Sequence, residues 1–519
     1  TLKLEPLPPA ACLCVVHFDD LFDSIRAVPR IVSHQPSAVE LLDRRVITMA
    51  RRNLGIAPLC DFFEGDPAAV LIVEFIGESP QAARRRVVDL IDDLQGARIG
   101  SAYPIRDDPD GMNRVWAVRK AGLGLLLGMK GERKPLPFIE DVAVPVDVLA
   151  EYIERIFAFC HSLETEVVLY AHASVGLLHV RPMLNLRDPA DVERMRRISE
   201  HAFELVQHYG GSWSGEHGNG LARSEYNERF FGPKIYQALR DVKRLFDPRG
   251  LMNPGKIVDA PPMDRDLRVE AGCEPPAIDT IYHFREDGGC LPAAEMCSGI
   301  GACRATLAGT MCPSFRATRD EHDGVRGRAN ALRLAMTGAL GFHGFGDHGL
   351  AETLELCLSC KACKSECPSG VDVARLRSEV LQHRHDQYGA SQRDQWIAGS
   401  RAAAERIAGW KAPLVNWAQS SRLGRWLLEG VIGVDRRRVL PPFARRTFMH
   451  WFRGRRSATS GPEVALFVDT YLNFYEPHIG RAAVELLESC GYRVVAADVG
   501  CCQRPRISHG FLRDARRDG

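Results

Sequence analysis

Residues 167–184 read VVLYAHASVGLLHVRPML, two strand-like runs separated by SVG. His172 and His179 are seven positions apart, so on one uninterrupted strand their side chains would point to opposite faces. A turn at SVG with Gly176 as its pivot would instead fold the stretch into a hairpin, because glycine tolerates the backbone angles of tight turns. The stretch therefore predicts an antiparallel hairpin that brings both imidazoles to one side.

The chain around this hairpin, residues 1–258, alternates strand-like and helical patterns. AVLIVEFIG at 69–77 has the apolar character of a strand, and DVERMRRISEHAFELVQHY at 191–209 has helical periodicity. This mixture predicts an α+β domain built on an antiparallel sheet.

Four further segments follow this domain. Residues 259–284 are rich in proline and acidic residues, which predicts a linker. Residues 285–385 are dense in cysteine and predict an all-α unit, and 386–458 predict a basic helical connector rich in tryptophan. Residues 459–519 contain a strand, helix, strand pattern whose first strand is EVALFVDTYL at 463–472, and they predict the start of an α/β domain.

The composition limits the classes of protein to which the chain could belong. Its 519 residues exceed one ordinary hydrophobic core and predict roughly three domains. A hydrophobic content of 45% and a formal net charge of +1 indicate a soluble folded chain, without the basic excess of nucleic-acid-binding proteins. The longest apolar run, at 121–129, is far shorter than the roughly 20 residues that span a bilayer, so no transmembrane helix is expected.

The sixteen cysteines indicate the redox compartment. They are concentrated in CxxC spacings instead of being spread as a disulfide framework, and no signal peptide is present. We therefore predict a reducing, cytoplasmic compartment and metal-bound thiolates. The chain opens without Met, as though inside a strand, and stops soon after its last motif begins, so we expect a piece of a longer polypeptide.

The clearest motif is CLSCKACKSECP at 357–368. It matches the C-x2-C-x2-C-x3-C-P pattern of iron–sulfur proteins, in which three thiolates surround one cluster and the fourth binds its neighbour. The four cysteines are Cys357, Cys360, Cys363 and Cys367. A zinc site is the alternative, but zinc motifs have no reason for a third cysteine at this spacing or for the following proline.

A second motif, CSGIGAC at 297–303, has the same register but Ile300 in place of the middle cysteine. If fourth ligands are exchanged, Cys312 completes the cluster of Cys357, Cys360 and Cys363, while Cys297 and Cys303 share theirs with Cys367. That site would hold a 3Fe-4S cluster, or a 4Fe-4S cluster with Cys290 or a non-protein fourth ligand. In the alternative interpretation, Cys297 and Cys303 are buried hydrophobes beside a single 4Fe-4S cluster.

A third group of reactive side chains includes the hairpin histidines. The glycine-rich loop SGEHGNG at 214–220 presents Glu216 and His217. Two histidines and a carboxylate suit a divalent metal with open positions, and a further histidine suits proton transfer near neutral pH. Hydrogen-bonded core histidines are the alternative interpretation.

These stretches together carry a resemblance to a known family. The segments that carry it are AVELLD (38–43), WAVRKAG (116–122), FIEDVAVP (138–145), AHASVGLLHVRP (171–182), SGEHGNGLARSEY (214–226) and LFDPRGLMNPGKI (245–257). They resemble the C-terminal substrate domain of FAD-linked oxidases, the D-lactate, glycolate and D-2-hydroxyglutarate dehydrogenases of the vanillyl-alcohol-oxidase type. With the stretch at 311–333 and the cysteine motifs, the chain is similar to the large members fused to a double-cluster ferredoxin-like domain and a cysteine-rich CCG domain.

The resemblance implies a role for particular residues. His172, His179 and Glu216 would bind the metal (Zn, Mn or Fe), and His217 would be the base that removes the substrate hydroxyl proton. Arg119 and Lys134 would hold the substrate carboxylate, while Asn253 and Lys256 lie in the stretch that returns toward the flavin. Two departures are ASVGL between the histidines and Gln503 where the CCG domain carries glycine. The family's flavin-cradling module would precede this chain and hold most of the FAD.

The implied reaction is oxidation of a D-2-hydroxy acid, D-lactate or D-2-hydroxyglutarate, to the 2-oxo acid. Hydride would pass to FAD, and single electrons would leave through the clusters to a quinone, cytochrome or flavoprotein instead of NAD. The alternative is an electron-transfer and docking module whose substrate site is inert. A homo-oligomer is compatible with the sequence.

The connector at 386–458 allows two interpretations. It holds five of the seven tryptophans, and 406–456 contains twelve Lys or Arg against only Glu429 and Asp435. This composition is typical of a peripheral patch for anionic lipid, here on the inner face of the membrane, or for a redox partner. Helices packed between domains with solvated arginines are the alternative.

Overall fold

A computed structural model describes residues 6–53, 55–269, 271–272, 274–307, 309–339, 341, 344–455, 460–497 and 499–519. The chain forms two compact units. Unit 1 comprises Thr1–Pro275, Arg285–Ala302 and Ser365–Gly370, and unit 2 comprises Pro276–Phe284, Cys303–Lys364 and Val371–Gly519. The cysteine-dense segment is therefore divided between the two units, and the domain boundaries proposed from the sequence stay predictions.

Unit 1 is built on an antiparallel sheet of eight strands. The strands are β1 (Ala10–Phe18), β2 (Ala38–Asp43), β3 (Ala69–Gly77), β4 (Ile105–Arg106), β5 (Lys134–Pro135), β6 (Val142–Ala143), β7 (Val167–His172) and β8 (Leu177–Leu184). They lie in the order β4-β1-β3-β2-β7-β8-β5, and β6 pairs with β8. The antiparallel sheet and its helices confirm the predicted α+β class.

Ten helices accompany this sheet in the described part of unit 1. They are α1 (Leu21–Arg26), α2 (Val28–Ser33), α3 (Arg44–Arg52), α4 (Pro80–Gly96), α5 (Pro109–Leu127), α6 (Leu149–Ser162), α7 (Pro189–His208), α8 (Gly220–Arg223), α9 (Asn227–Phe246) and α10 (Cys290–Glu295). The predicted helix at 191–209 is α7, which begins earlier because Asp188 caps it by accepting a hydrogen bond from the Ala190 amide at 2.9 Å. Gly232 interrupts α9 with non-helical backbone angles.

Helices cover both faces of the sheet, since successive side chains of a strand alternate between faces. On one face, Leu41, Leu169 and Val180 pack in a core with α1, α2, α4, α6 and α7. On the other face, Val168 and Met183 pack with α3 and α5. We call the second of these the α3/α5 face. Both faces are apolar over most of their area. A polar side chain on either face is therefore unusual and requires a specific explanation.

Strands β7 and β8 form the predicted hairpin, with His172 paired opposite Leu177. Gly176 closes the turn with a φ of 68°, in the left-handed region that favours glycine. A Cβ atom at this position would lie 1.9 Å from the carbonyl oxygen of Val144, which is closer than any two such atoms approach. Glycine is therefore required here both for its backbone angles and for its small volume.

Unit 2 is mostly helical. From residue 313 the helices are α11 (Pro313–Thr318), α12 (Val325–Met336), α13 (His348–Glu355), α14 (Ala362–Glu366), α15 (Val373–Tyr388), α16 (Gln392–Ala398), α17 (Ser400–Ile407), α18 (Ala412–Ser420), α19 (Arg422–Ile432), α20 (Phe448–Arg453), α21 (Thr470–Phe474), α22 (Pro477–Ser489), α23 (Arg504–Ser508) and α24 (Leu512–Asp518). Among the described helices of both units, none combines the length and the apolar character needed to cross a bilayer.

The end of unit 2 contains the predicted strand, helix, strand pattern as β9 (Glu463–Phe467), α22 and β10 (Arg493–Ala497), with the two strands parallel. The prediction of a strand as far as residue 472 was wrong. Asp469 accepts a hydrogen bond from the Leu472 amide at 2.7 Å and so caps helix α21 directly after the strand. The predicted boundary at residues 458 and 459 lies outside the described residues.

The turn at Gly176 gives a first testable prediction. Gly176→Ala should destabilise the β7–β8 hairpin by more than the roughly 1–2 kcal/mol that alanine costs in a left-handed conformation, because its Cβ also clashes with Val144. The free energy of local opening can be measured by hydrogen exchange of peptides from residues 167–184.

Gly65→Ala is the matched control for this prediction. Gly65 has a similar φ of 62°, but no heavy atom lies within 4 Å of the position that a Cβ would occupy. This substitution should destabilise the protein only through the strain of alanine in a left-handed backbone conformation. An equal loss of stability in the two variants would show that the close approach to Val144 is relaxed at little cost.

Candidate functional site

Polar side chains interrupt the apolar α3/α5 face where β2, β7 and β8 lie side by side. Glu40 pairs opposite His172 across β2 and β7, and Tyr170 pairs opposite His179 across β7 and β8. Because each of these residues is flanked by residues of the opposite core, their side chains all point to the α3/α5 face. The sheet register therefore brings both histidines to one side, as the sequence predicts.

The carboxylate of Glu40 connects two residues of this group. Its Oε1 lies 2.6 Å from His172 Nδ1, and its Oε2 accepts a hydrogen bond from Arg119 Nε at 2.8 Å. The hydrogen bond to Glu40 raises the pKa of His172 above its usual value. It also fixes the imidazole ring, so that the other nitrogen, Nε2, is the one available to a ligand.

The buried side chain of Asp141 holds the glycine-rich loop in place. Its two oxygens accept hydrogen bonds from the amides of Glu216 and His217 at 2.7 and 3.0 Å and from the Ser214 hydroxyl at 2.5 Å. Arg223 Nη2 lies 3.3 Å from the same carboxylate. Asp141 thus fixes the backbone that presents Glu216 and His217 to the sheet.

The side chains of the hairpin and of the loop converge on one oxygen atom. Glu216 Oε1 lies 3.4 Å from His172 Nε2, 3.5 Å from His179 Nε2 and 3.0 Å from His217 Nε2. The ring of His217 also stacks on that of His179, with centroids 5.4 Å apart. The four predicted residues therefore form a single cluster.

The electrostatic surroundings favour a neutral His179. Burial lowers its pKa to about 2, and the positive charges of His172 and Arg119 act in the same direction. Its Nδ1 has no hydrogen-bond partner in the described part of the chain. A neutral imidazole with Nε2 directed at Glu216 is the form that binds metal ions.

The donor atoms suit a divalent metal ion. His172, His179 and Glu216 each place one ligand atom within 4.8 Å of the other two. Ligand bonds of about 2.1 Å keep the donors around a divalent metal roughly 3.0–3.4 Å apart, close to the observed separations from Glu216 Oε1. Asp141, Glu216 and His217 form a second such group, but the oxygens of Asp141 are already occupied by loop donors.

The surroundings of His217 include a second carboxylate. Glu140 Oε1 lies 3.8 Å from His217 Nδ1, and Glu140 also pairs with the buried Arg181. Burial raises the pKa of Glu140 above its usual value. Because His217 is 45% exposed, it can exchange protons with a bound molecule or with water.

Lys134 is placed away from this cluster. Its Nζ donates to the Met129 carbonyl at 2.5 Å and lies 3.2 Å from Met296 Sδ. In the sheet, Lys134 pairs opposite Leu184, five residues or roughly 16 Å along β8 from His179. Burial lowers the pKa of Lys134. Its predicted contact with the substrate carboxylate stays a prediction.

Asn253 and Lys256 lie on an exposed segment after α9. The Ile257 amide donates to Ser224 Oγ at 3.1 Å, and its carbonyl accepts a hydrogen bond from Asn227 Nδ2 at 2.8 Å. These two hydrogen bonds connect the segment to Ser224 and Asn227, which follow the SGEHGNG loop in the chain. These hydrogen bonds do not test the predicted contact of Asn253 and Lys256 with FAD, which stays a prediction.

In unit 2, four predicted cluster ligands line one cavity. They are Cys312, Cys357, Cys360 and Cys363, the set that the exchange of fourth ligands assigns to one cluster. Four thiols around one cavity provide the ligand set that a 4Fe-4S cluster requires. The residue types of this lining thus fit that cofactor.

The cysteines predicted for the second cluster are divided between the units. Cys297 is buried in unit 1, where its carbonyl accepts a hydrogen bond from Arg268 Nη2 at 2.8 Å, and Cys367 is half-buried there. Cys303 is buried in unit 2, and Cys290 begins α10. The second cluster and its ligands stay predictions.

Three residues of the candidate site were not identified from the sequence, namely Glu40, Glu140 and Asp141. The sequence around Glu40 could have indicated its role, since a charged residue inside the apolar stretch AVELLD needs a partner if it is buried. Nothing in the sequence indicated the role of Asp141, because its left-handed φ of 75° and its loop contacts depend on the folded chain.

Two stretches of the chain match known protein families. Residues 7–257 match the family described as "FAD linked oxidases, C-terminal domain", and residues 293–371 match the "4Fe-4S dicluster domain". The chain therefore carries a C-terminal domain of the FAD-linked oxidases followed by a 4Fe-4S dicluster domain. The predicted cofactor classes, FAD and iron–sulfur clusters, agree with these families.

The chain is also similar to individual curated proteins. It is 29% identical to D-2-hydroxyglutarate dehydrogenase of Pseudomonas putida, over 98% of this chain and 55% of that protein. It is 30% identical to D-2-hydroxyglutarate dehydrogenase of Pantoea ananatis, over 99% of this chain and 55% of that protein. Against the mitochondrial D-lactate dehydrogenase [cytochrome] of Arabidopsis thaliana, the identity is 30% over 50% of this chain and 44% of that protein. The chain spans about half the length of the first two relatives.

The contact between Glu40 and His172 leads to a second prediction. Glu40→Gln should weaken divalent-metal binding by roughly 10–100-fold, because an amide orients and polarises the imidazole less well than a carboxylate. The dissociation constants for Mn²⁺ and Zn²⁺ can be measured by calorimetric titration of chelator-treated protein.

Glu74→Gln is the matched control, since Glu74 lies on the neighbouring strand β3 and its side chain accepts a hydrogen bond from Ser37. Its metal affinity should equal that of the wild type. Unchanged affinity in Glu40→Gln, or an equal loss in both variants, would contradict the assigned role of Glu40.

Proposed function

We propose that this chain forms the substrate site and the electron exit of a flavin-dependent dehydrogenase that oxidises a D-2-hydroxy acid to the 2-oxo acid. The observation that carries the proposal is the convergence of His172, His179 and His217 on Glu216. A metal-ligand set with an adjacent, partly exposed histidine suits removal of a hydroxyl proton.

Each residue has a distinct part in the proposed reaction. His172, His179 and Glu216 would hold the metal, and Arg119 would attract the substrate carboxylate with its positive charge. His217 Nε2 would accept the hydroxyl proton, and the nearby Glu140 would stabilise the resulting imidazolium. Oxidation of the substrate then releases two electrons and two protons in total.

The cofactors add chemistry that side chains lack. When bound, the metal would supply a Lewis acid, FAD a hydride acceptor and the clusters single-electron carriers. Asn253 and Lys256 are the proposed flavin contacts, and Cys312, Cys357, Cys360 and Cys363 are the proposed ligands of a 4Fe-4S cluster. A quinone, cytochrome or flavoprotein would be the final acceptor.

The comparisons favour D-2-hydroxyglutarate as the substrate over D-lactate. Relatives named for D-2-hydroxyglutarate align with 98–99% of the chain, including the cluster region, whereas the D-lactate dehydrogenase aligns with half of it. We therefore propose D-2-hydroxyglutarate first and D-lactate second.

The third prediction tests the proposed base. In the full-length protein, His217→Gln should lower turnover of D-2-hydroxyglutarate by roughly 10²–10⁴-fold, the usual contribution of a positioned base. Turnover can be followed with a dye acceptor, while metal and flavin contents are measured on the same sample. Loss of turnover with full cofactor content is the expected result.

His161→Gln serves as the control, because His161 is an exposed histidine near the end of α6. It should turn over at the wild-type rate. Wild-type protein that carries metal and flavin but oxidises no D-2-hydroxy acid would instead support the inert docking module.

The partner surface that we propose is the exposed face of α18 and α19 with the preceding Trp410. Trp410, Trp417 and Trp426 are 85%, 70% and 58% exposed, which is unusual for tryptophan. The charges of the surrounding segment are mostly positive. Tryptophan and arginine together suit the interface of an anionic lipid bilayer, which is the occupant that we propose.

The fourth prediction concerns this surface. Full-length protein should sediment with phosphatidylcholine vesicles that contain phosphatidylglycerol but not with phosphatidylcholine alone. Replacing Trp417 and Trp426 by serine should weaken binding at least about tenfold, since each buried aromatic ring contributes roughly 1.5–3 kcal/mol. Trp396→Ser on α16 should bind as the wild type does. Absence of wild-type binding, or equal loss in the control, would contradict a lipid-binding face.

A further inference from the structure

Arg328 is a buried cation in the wall of the four-cysteine cavity. It lies on α12, is 1% exposed, and lines the cavity together with Cys312 and Ser314. Burial of a guanidinium is costly unless a nearby group compensates its charge. Its surroundings should therefore contain a matching negative charge.

Three contacts orient the Arg328 side chain. Its Nε donates to the Thr353 carbonyl at 3.0 Å, and Nη1 donates to Ser314 Oγ at 2.9 Å. Nη1 also lies 3.5 Å from Cys312 Sγ, within hydrogen-bond range for sulfur. The guanidinium is thus held against the sulfur atom of a predicted cluster ligand.

The carboxylate of Asp323 compensates this charge incompletely. Asp323 Oδ1 is 3.6 Å from Arg328 Nη2, and within the described residues neither atom has a hydrogen-bond partner. The other two groups that orient Arg328 are neutral oxygens. A thiolate at Cys312 would provide the missing negative charge at the position where Nη1 already lies.

We propose that Arg328 donates a hydrogen bond to the Cys312 thiolate and raises the reduction potential of the cluster held by Cys312, Cys357, Cys360 and Cys363. This inference rests on the 4Fe-4S cluster of the proposed function. Arg328 acts as a positioning residue, because it contacts a cluster ligand and not the substrate.

The direction of the effect follows from charge. Reduction adds one electron to the cluster, and a buried positive charge beside a ligand sulfur stabilises the more negative state. A hydrogen bond to that sulfur withdraws electron density and acts in the same direction. Loss of Arg328 should therefore make the cluster harder to reduce.

The first test is a redox titration of full-length protein with dithionite, followed by EPR. Dithionite transfers one electron to the cluster, and no bond forms or breaks. Arg328→Gln should lower the equilibrium constant for reduction at least about tenfold, which corresponds to a midpoint about 59 mV lower. Arg328→Lys keeps the charge but loses the planar guanidinium fork, so its shift should be smaller in the same direction.

Arg326→Gln is the matched control, because it removes the same charge from the same helix. Arg326 pairs with Glu321, and its side chain is 28% exposed. Its midpoint should equal that of the wild type. An unchanged midpoint in Arg328→Gln with full iron content, or an equal shift in the control, would overturn the proposal. Wild-type protein without a reducible cluster would refute the proposed cofactor itself.

A measurement without substitution covers the case in which both Arg328 variants lose iron. Full-length wild-type protein labelled with ¹⁵N in the guanidinium groups of arginine is reduced and studied by ENDOR spectroscopy. A ¹⁵N coupling in the signal of the cluster bound by Cys312 is expected, and that signal is identified by its loss in Cys360→Ala. Absence of the coupling would overturn the proposal.

Discussion

The candidate active site depends on one buried carboxylate, that of Asp141. Its side chain accepts two backbone amides and one hydroxyl from the loop that carries Glu216 and His217. Asp141 itself follows Glu140, which pairs with Arg181 of the sheet. A single acidic residue therefore fixes the distance between the loop and the hairpin. Without this carboxylate, the amides of Glu216 and His217 would lose the acceptors that position them.

The two units place buried charges of opposite sign beside their candidate ligands. In unit 1, buried carboxylates surround histidines that would face a metal cation, and Glu40 balances both His172 and Arg119. In unit 2, a buried guanidinium, that of Arg328, faces thiols that become anionic on binding iron. In each case the compensating charge contacts a residue that is a proposed ligand of the cofactor. The ligands themselves remain free to bind.

Local patterns made part of this structure predictable from the sequence. The hairpin follows from two apolar runs around Gly176, and strand β3 has its predicted ends, 69 and 77. Tertiary contacts decided the rest. The burial of Asp141 depends on distant residues, and Asp469 ended a strand early by capping a helix. Gln503 has a left-handed φ of 58°, a backbone conformation that favours glycine and that depends on the folded chain.

The hairpin also limits how this region can change in evolution. His172 and His179 share a face only because each strand keeps its alternation of side chains. Insertion or deletion of one residue within β7 or β8 would turn a histidine into the opposite apolar core and bring an aliphatic side chain to the place of its imidazole. Length variation among functional descendants should therefore avoid both strands, and even the turn tolerates little of it because Gly176 is packed against Val144.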